Sequence, residues 1–102
     1  MRCHIIVSGQ VQGVFYRAFA KQHADLLGIK GFARNLADSR VEIVAEGSQK
    51  ALQEFIKKLR AGPAGADVKN LQIKWLQVKE EFDRFKVLYW EVNDLTFIYL
   101  FR

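Results

Sequence analysis

The chain has 102 residues, half of them hydrophobic, so it is the size of one domain that can bury a core without metals or disulfides. Sixteen Lys and Arg against eleven Asp and Glu give a formal charge of +5, which favours anionic partners in general. One cysteine excludes an internal disulfide, no secretory leader pattern opens the chain, and no apolar run approaches the roughly 20 residues a membrane helix needs, so a reducing cytoplasm is expected.

Taken in chain order, Arg2 to Ser8 alternates, with Cys3, Ile5 and Val7 on one face, and reads as a strand. The stretch SGQVQGVFYRAF from Ser8 to Phe19 then carries two glycines four apart into a helix. That helix shows Tyr16, Phe19, Ala20, His23, Leu26 and Leu27 at helical spacing and ends at Gly28, with Ile29 placed to pack back. Lys30 to Leu36 and Arg40 to Glu46 are strand-like, joined by Ala37-Asp38-Ser39 as a hairpin connection.

Ser48 is placed to cap a second helix whose stripe is Leu52, Phe55, Ile56 and Leu59 and which stops before Gly62-Pro63. Leu71, Ile73 and Trp75 alternate in another strand, with the phase slipping at Leu76 and Val78, and Phe85, Val87 and Tyr89 make the last. The order is β-α-β-β-α-β-β. Two amphipathic helices against one face of a mainly antiparallel sheet is the compact solution, an α+β, ferredoxin-like two-layer sandwich.

A helix N-terminus leaves its first N–H groups without partners and carries partial positive charge, so the turn around Gly13 can hold an anion, with Arg17 offering a planar fork of donors at its rim. The spacing matches neither the P-loop nor the dinucleotide glycine pattern. On composition alone a plain strand-to-helix turn stays open beside the anion site. His4, His23 and Cys3 are too few and too scattered for a zinc set, and no cue gives Cys3 a partner base.

SGQVQGVFYR resembles the acylphosphatase signature Gly-x-Val-Gln-Gly-Val-x-Phe-Arg, and Gly31-Phe32-Ala33-Arg34-Asn35 resembles the second motif of that family. The similarity continues through Val41 to Gly47, Gly62-Pro63 and Phe85 to Tyr89. It implies a domain over residues 1–90 that hydrolyses small-molecule acyl phosphates, with no metal or cofactor. Arg17 and the main chain of Gln12, Gly13, Val14, Phe15 and Tyr16 would bind phosphate, and Asn35 would orient the attacking water. The resemblance also implies a final strand inside the sheet.

Three positions depart from the pattern. Phe15 stands where glycine or a small residue is common and would crowd or cover the mouth of the cradle, narrowing the substrate range. Tyr16 replaces phenylalanine, adding a hydroxyl that needs a partner when buried. Ser39 occupies a hairpin position where glycine is frequent, which predicts slight strain or another turn type.

Residues 91–102 have no counterpart in the family pattern and read as an extension, with Asn93-Asp94 able to turn the chain and Phe97 to Phe101 able to associate. A dimer through this segment is the expectation set beside a monomer. Two other functions fit the same layout: a nucleic-acid binding module, and a non-catalytic phosphate-binding regulatory domain. RNA platforms stack bases on aromatics of the central strands, and Arg40 to Glu46 has none.

Overall fold

The computed structural model describes residues 1–88. The expected extension over 91–102, its dimer and the boundary at residue 90 lie outside the described residues. Seven elements follow one another: β1 (Arg2–Gln10), α1 (Tyr16–Leu26), β2 (Lys30–Asn35), β3 (Val41–Glu46), α2 (Gln49–Ala61), β4 (Asp67–Leu76) and β5 (Phe85–Leu88). The ferredoxin-like α+β sandwich is borne out. No helix of the described residues is long and apolar enough to cross a membrane.

The sheet order is β4-β1-β3-β2-β5. β1 pairs antiparallel with β3 and β4, β2 pairs antiparallel with β3, and β2 pairs parallel with β5. Among the described residues β5 therefore has one neighbour, β2, and forms an edge. This corrects the expectation of an interior final strand. The chain reaches β2 only after crossing back over the sheet, and β2 offers its remaining free side there.

Alternation in the strands decides which side chains meet the helices. Cys3, Ile5 and Val7 of β1, Val41, Ile43 and Ala45 of β3, Ala33 of β2 and Phe85 of β5 join one buried core with Tyr16, Ala20 and Ala24 of α1 and Leu52, Phe55, Ile56 and Leu59 of α2. Phe32, Val44, Phe82 and Leu88 form a second, smaller cluster on the opposite face. Also on that face, Glu42 accepts from Arg34 Nε and lies 2.8 Å from His4 Nε2, a three-strand chain of charge.

Local signals explain the helix ends. The Ala51 N–H donates to Ser48 Oγ at 3.1 Å, capping α2. At the end of α1 the Ile29 N–H reaches back to the Ala24 carbonyl at 2.8 Å past Gly28, a Schellman-type closure. Leu27 packs against the core, whereas Leu26, included in the sequence stripe, is exposed.

The β1–β4 pairing slips between Ser8 and Gly9, where Asn70 opposes Ser8 and Val68 opposes Gly9. The expected slip at Leu76 and Val78 is absent because β4 ends at Leu76. Gly9 makes the actual one possible. Its φ is +123°, and a Cβ there would lie 2.2 Å from the Asp67 carbonyl oxygen.

Candidate phosphate-binding site

After β1 the chain crosses from the sheet to α1 through a five-residue turn, residues 11–15, anchored by its apolar side chains. Val11 is buried, Val14 packs against the core, and the fully buried Tyr16 that follows donates its hydroxyl to the Leu59 carbonyl at 2.7 Å. The hydroxyl predicted to need a partner has one. With these side chains turned inward, the main chain between them faces out.

Two residues of the turn adopt left-handed conformations, Gly13 at φ 76° and Phe15 at φ 61°. Phe15 is the N-cap of α1, and unlike Ser48 it gives its helix no side-chain cap. No acidic residue stands in the first turn to substitute for one. No main-chain N–H from Gln12 to Tyr16 donates to an acceptor among the described residues. A row of unsatisfied donors at a positive helix end is a place for an anion.

Most residues of this turn border a cavity of about 450 Å³. Gln12, Gly13, Phe15, Tyr16, Arg17 and Asn35 all line it, so six of the seven residues singled out in the sequence meet there. Val14 does not, because its side chain belongs to the core and only its main chain shares the turn. Among the described residues that line the cavity there is no carboxylate to repel an anion or to act as a strong base.

Arg17 and Gln12 are held from outside the turn. Arg17 Nη1 donates to the Leu88 carbonyl, tying the guanidinium to the end of β5. Asn35 ends β2 on the helix-facing side, and its Oδ1 is buried with no hydrogen-bond partner among the described residues. Gln12 Nε2 donates to the Leu36 and Arg40 carbonyls, each at 2.9 Å, and those residues are themselves joined by the Leu36 N–H to Arg40 O bond at 2.8 Å. The Gln12 side chain thereby fastens the turn to the hairpin that follows Asn35.

Sequence reasoning had assigned Gln12 only its amide. A polar residue inside an otherwise apolar and glycine turn was the available signal for more. The Leu88 carbonyl and Val87, which also lines the cavity, were missed, since nothing local to β5 marks them. Phe15 borders the cavity and is 84% exposed. Ser39 has φ 73°, the strain that its place in the hairpin predicted. Cys3 is buried, which pushes its thiol up to about 11 and leaves it protonated at neutral pH.

The acylphosphatase family model matches residues 3–87. An acylphosphatase of Pyrobaculum calidifontis is 46% identical over 89 residues, covering 86% of this chain and 81% of its own. One of Methylococcus capsulatus is 45% identical over 87 residues, covering 85% and 95%. The crystal structure of the acylphosphatase from Bacillus subtilis superposes with a TM-score of 0.84 at 36% identity, covering 86% of this chain and 98% of that one.

Proposed function

The chain belongs to the acylphosphatase family, and from that premise we propose that it hydrolyses small-molecule acyl phosphates to a carboxylate and inorganic phosphate. One observation carries the reading: Gln12, Gly13, Phe15 and Tyr16, whose main-chain N–H groups have no acceptor among the described residues, line the same cavity as Arg17 and Asn35.

In this reading the phosphate dianion sits on those amides, and Arg17 supplies charge-assisted hydrogen bonds to its oxygens. Asn35 Oδ1 accepts a hydrogen bond from a water and aims its oxygen at phosphorus. The new P–O bond forms as the bond from phosphorus to the acyl oxygen breaks. The acyl phosphate dianion and one water become a carboxylate and a dihydrogen phosphate, so both water hydrogens end on phosphate oxygens. An amide cannot take a proton at neutral pH, hence Asn35 orients and the substrate's own phosphate serves as the acceptor. A carboxylate is a good leaving group, so positioning and charge stabilisation supply what is needed.

The RNA-binding alternative is not favoured. Neither β1 nor β3 carries Phe, Tyr or Trp, and β3 presents Glu42 where a stacking surface would be. A regulatory domain that binds phosphate without turnover is separated by one assay: phosphate release from benzoyl phosphate in the presence of a chelator. Arg17→Gln and Asn35→Ala should each lower kcat/KM by about 100-fold or more with the far-UV circular dichroism retained. Full activity in either variant removes that residue from the mechanism, and no turnover by the unmodified protein removes the enzymatic reading.

A further inference from the structure

Phe15 carries two costs at one position. Its backbone is left-handed, at φ 61° and ψ 29°, a region that Cβ-bearing residues occupy with strain and glycine occupies freely. The residue is 84% exposed, so it adds little to the core that could offset that strain. Folding alone asks for glycine or asparagine here. The ring does one other thing: it lines the cavity that Arg17 and Asn35 share.

The cavity lining is chemically mixed. Gln12, Gly13, Arg17 and Asn35 bring polar groups to it. Phe15, Ala18 and Val87 offer it only side-chain carbon surface. An acyl phosphate has the same division, a dianionic head joined through one oxygen to a neutral acyl group. Its acyl carbons must therefore lie within a few bonds of the phosphate, where Phe15, two residues from both Gly13 and Arg17, stands at the rim.

We infer that the Phe15 ring is the wall of an acyl subsite and selects acyl phosphates whose carbon group is flat and aromatic over those with a short acyl group. A planar acyl group lies against the ring face and gains apolar contact and aromatic packing, whereas an acetyl group covers too little of it. The inference rests on the cavity being an acyl phosphate site. The strained backbone at the rim is the reason to assign the ring a task at the site rather than in the fold.

The test compares kcat/KM for benzoyl phosphate and acetyl phosphate in the unmodified protein, in Phe15→Gly and in Phe15→Asn, both of which accept the left-handed backbone. Using two substrates with one leaving chemistry cancels any general damage to the phosphate cradle. The benzoyl-to-acetyl ratio should fall about 10-fold in both variants, mainly through a higher KM for benzoyl phosphate. An unchanged ratio overturns the inference, whether both activities persist or fall together. If the unmodified protein hydrolyses neither substrate, the functional reading itself fails and the subsite with it.

Discussion

The Tyr16 hydroxyl donates to the Leu59 carbonyl at 2.7 Å, joining the first residue of α1 to the last turn of α2. That carbonyl is among the last four of α2, which have no partner within their own helix. Burial pushes the phenol far above its ordinary range, so it remains a donor wherever the protein is folded. Tyr16→Phe deletes the donor and leaves a buried carbonyl unsatisfied. A loss of about 1–3 kcal/mol is expected, read as a lower urea midpoint at unchanged m-value.

Gln12 acts through both of its Nε2 hydrogens. Gln12→Ala removes two bonds that hold the hairpin beyond Asn35, and a loss of about 1–2 kcal/mol with roughly a 10-fold drop in kcat/KM is expected. Gln12→Glu makes the sharper comparison. It keeps the shape but aims a carboxylate at the Leu36 and Arg40 carbonyls, so it should be less stable than Gln12→Ala in the same urea titration. The reverse order would mean that those two bonds do not bear on the hairpin.

Glu42 links pH to stability. Burial alone would raise its carboxyl, but the hydrogen bonds from His4 and Arg34, reinforced by their charges, prevail and hold it below its ordinary value of 4.5. The folded state therefore binds its proton less readily than the unfolded state does. The stabilisation is present in full above the ordinary value and drains away as pH falls through the lower, folded one. Urea unfolding measured from neutral pH downward should show stability falling below about 4.5, with a shallower decline in Glu42→Gln. Parallel curves would assign the acid limb to other carboxylates.

Ser39 has φ 73° in the hairpin whose loop is closed by the Ser39 N–H to Leu36 carbonyl bond at 3.3 Å. Ser39→Gly relieves the left-handed strain and should raise stability by about 0.5–1 kcal/mol, visible as a higher Tm. A lower Tm would show that the glycine's added freedom in the unfolded chain outweighs the strain.

Elements whose signals are local were legible in the sequence. The alternation of Cys3, Ile5 and Val7 and the stripe of Leu52, Phe55, Ile56 and Leu59 match the observed burial, because each side chain's direction follows from its own backbone period. The first half of β4 was not, since Asp67 to Asn70 has only Val68 as an apolar residue and joins the sheet by pairing with β1 across the Gly9 bulge. The edge position of β5 depends on where the chain crosses, which no residue of Phe85–Leu88 encodes. At the site, motif resemblance brought Arg17 and Asn35 forward. It could not show that Phe15 is left-handed, because a bulky residue in that conformation has no signature of its own.

The parallel pairing of β5 with β2 sets Phe85 opposite Gly31 and Leu88 opposite Arg34, with β3, α2 and β4 lying between them along the chain. Arg17, Asn35 and the Leu88 carbonyl therefore come into register only through contacts of high sequence separation, the kind that slows a folding reaction. No fragment ending before that strand carries the anchor of Arg17. In the proposed mechanism catalytic competence is thus a property of the whole topology, and its recovery after dilution from denaturant would report closure of the entire sheet rather than growth of any single helix or hairpin.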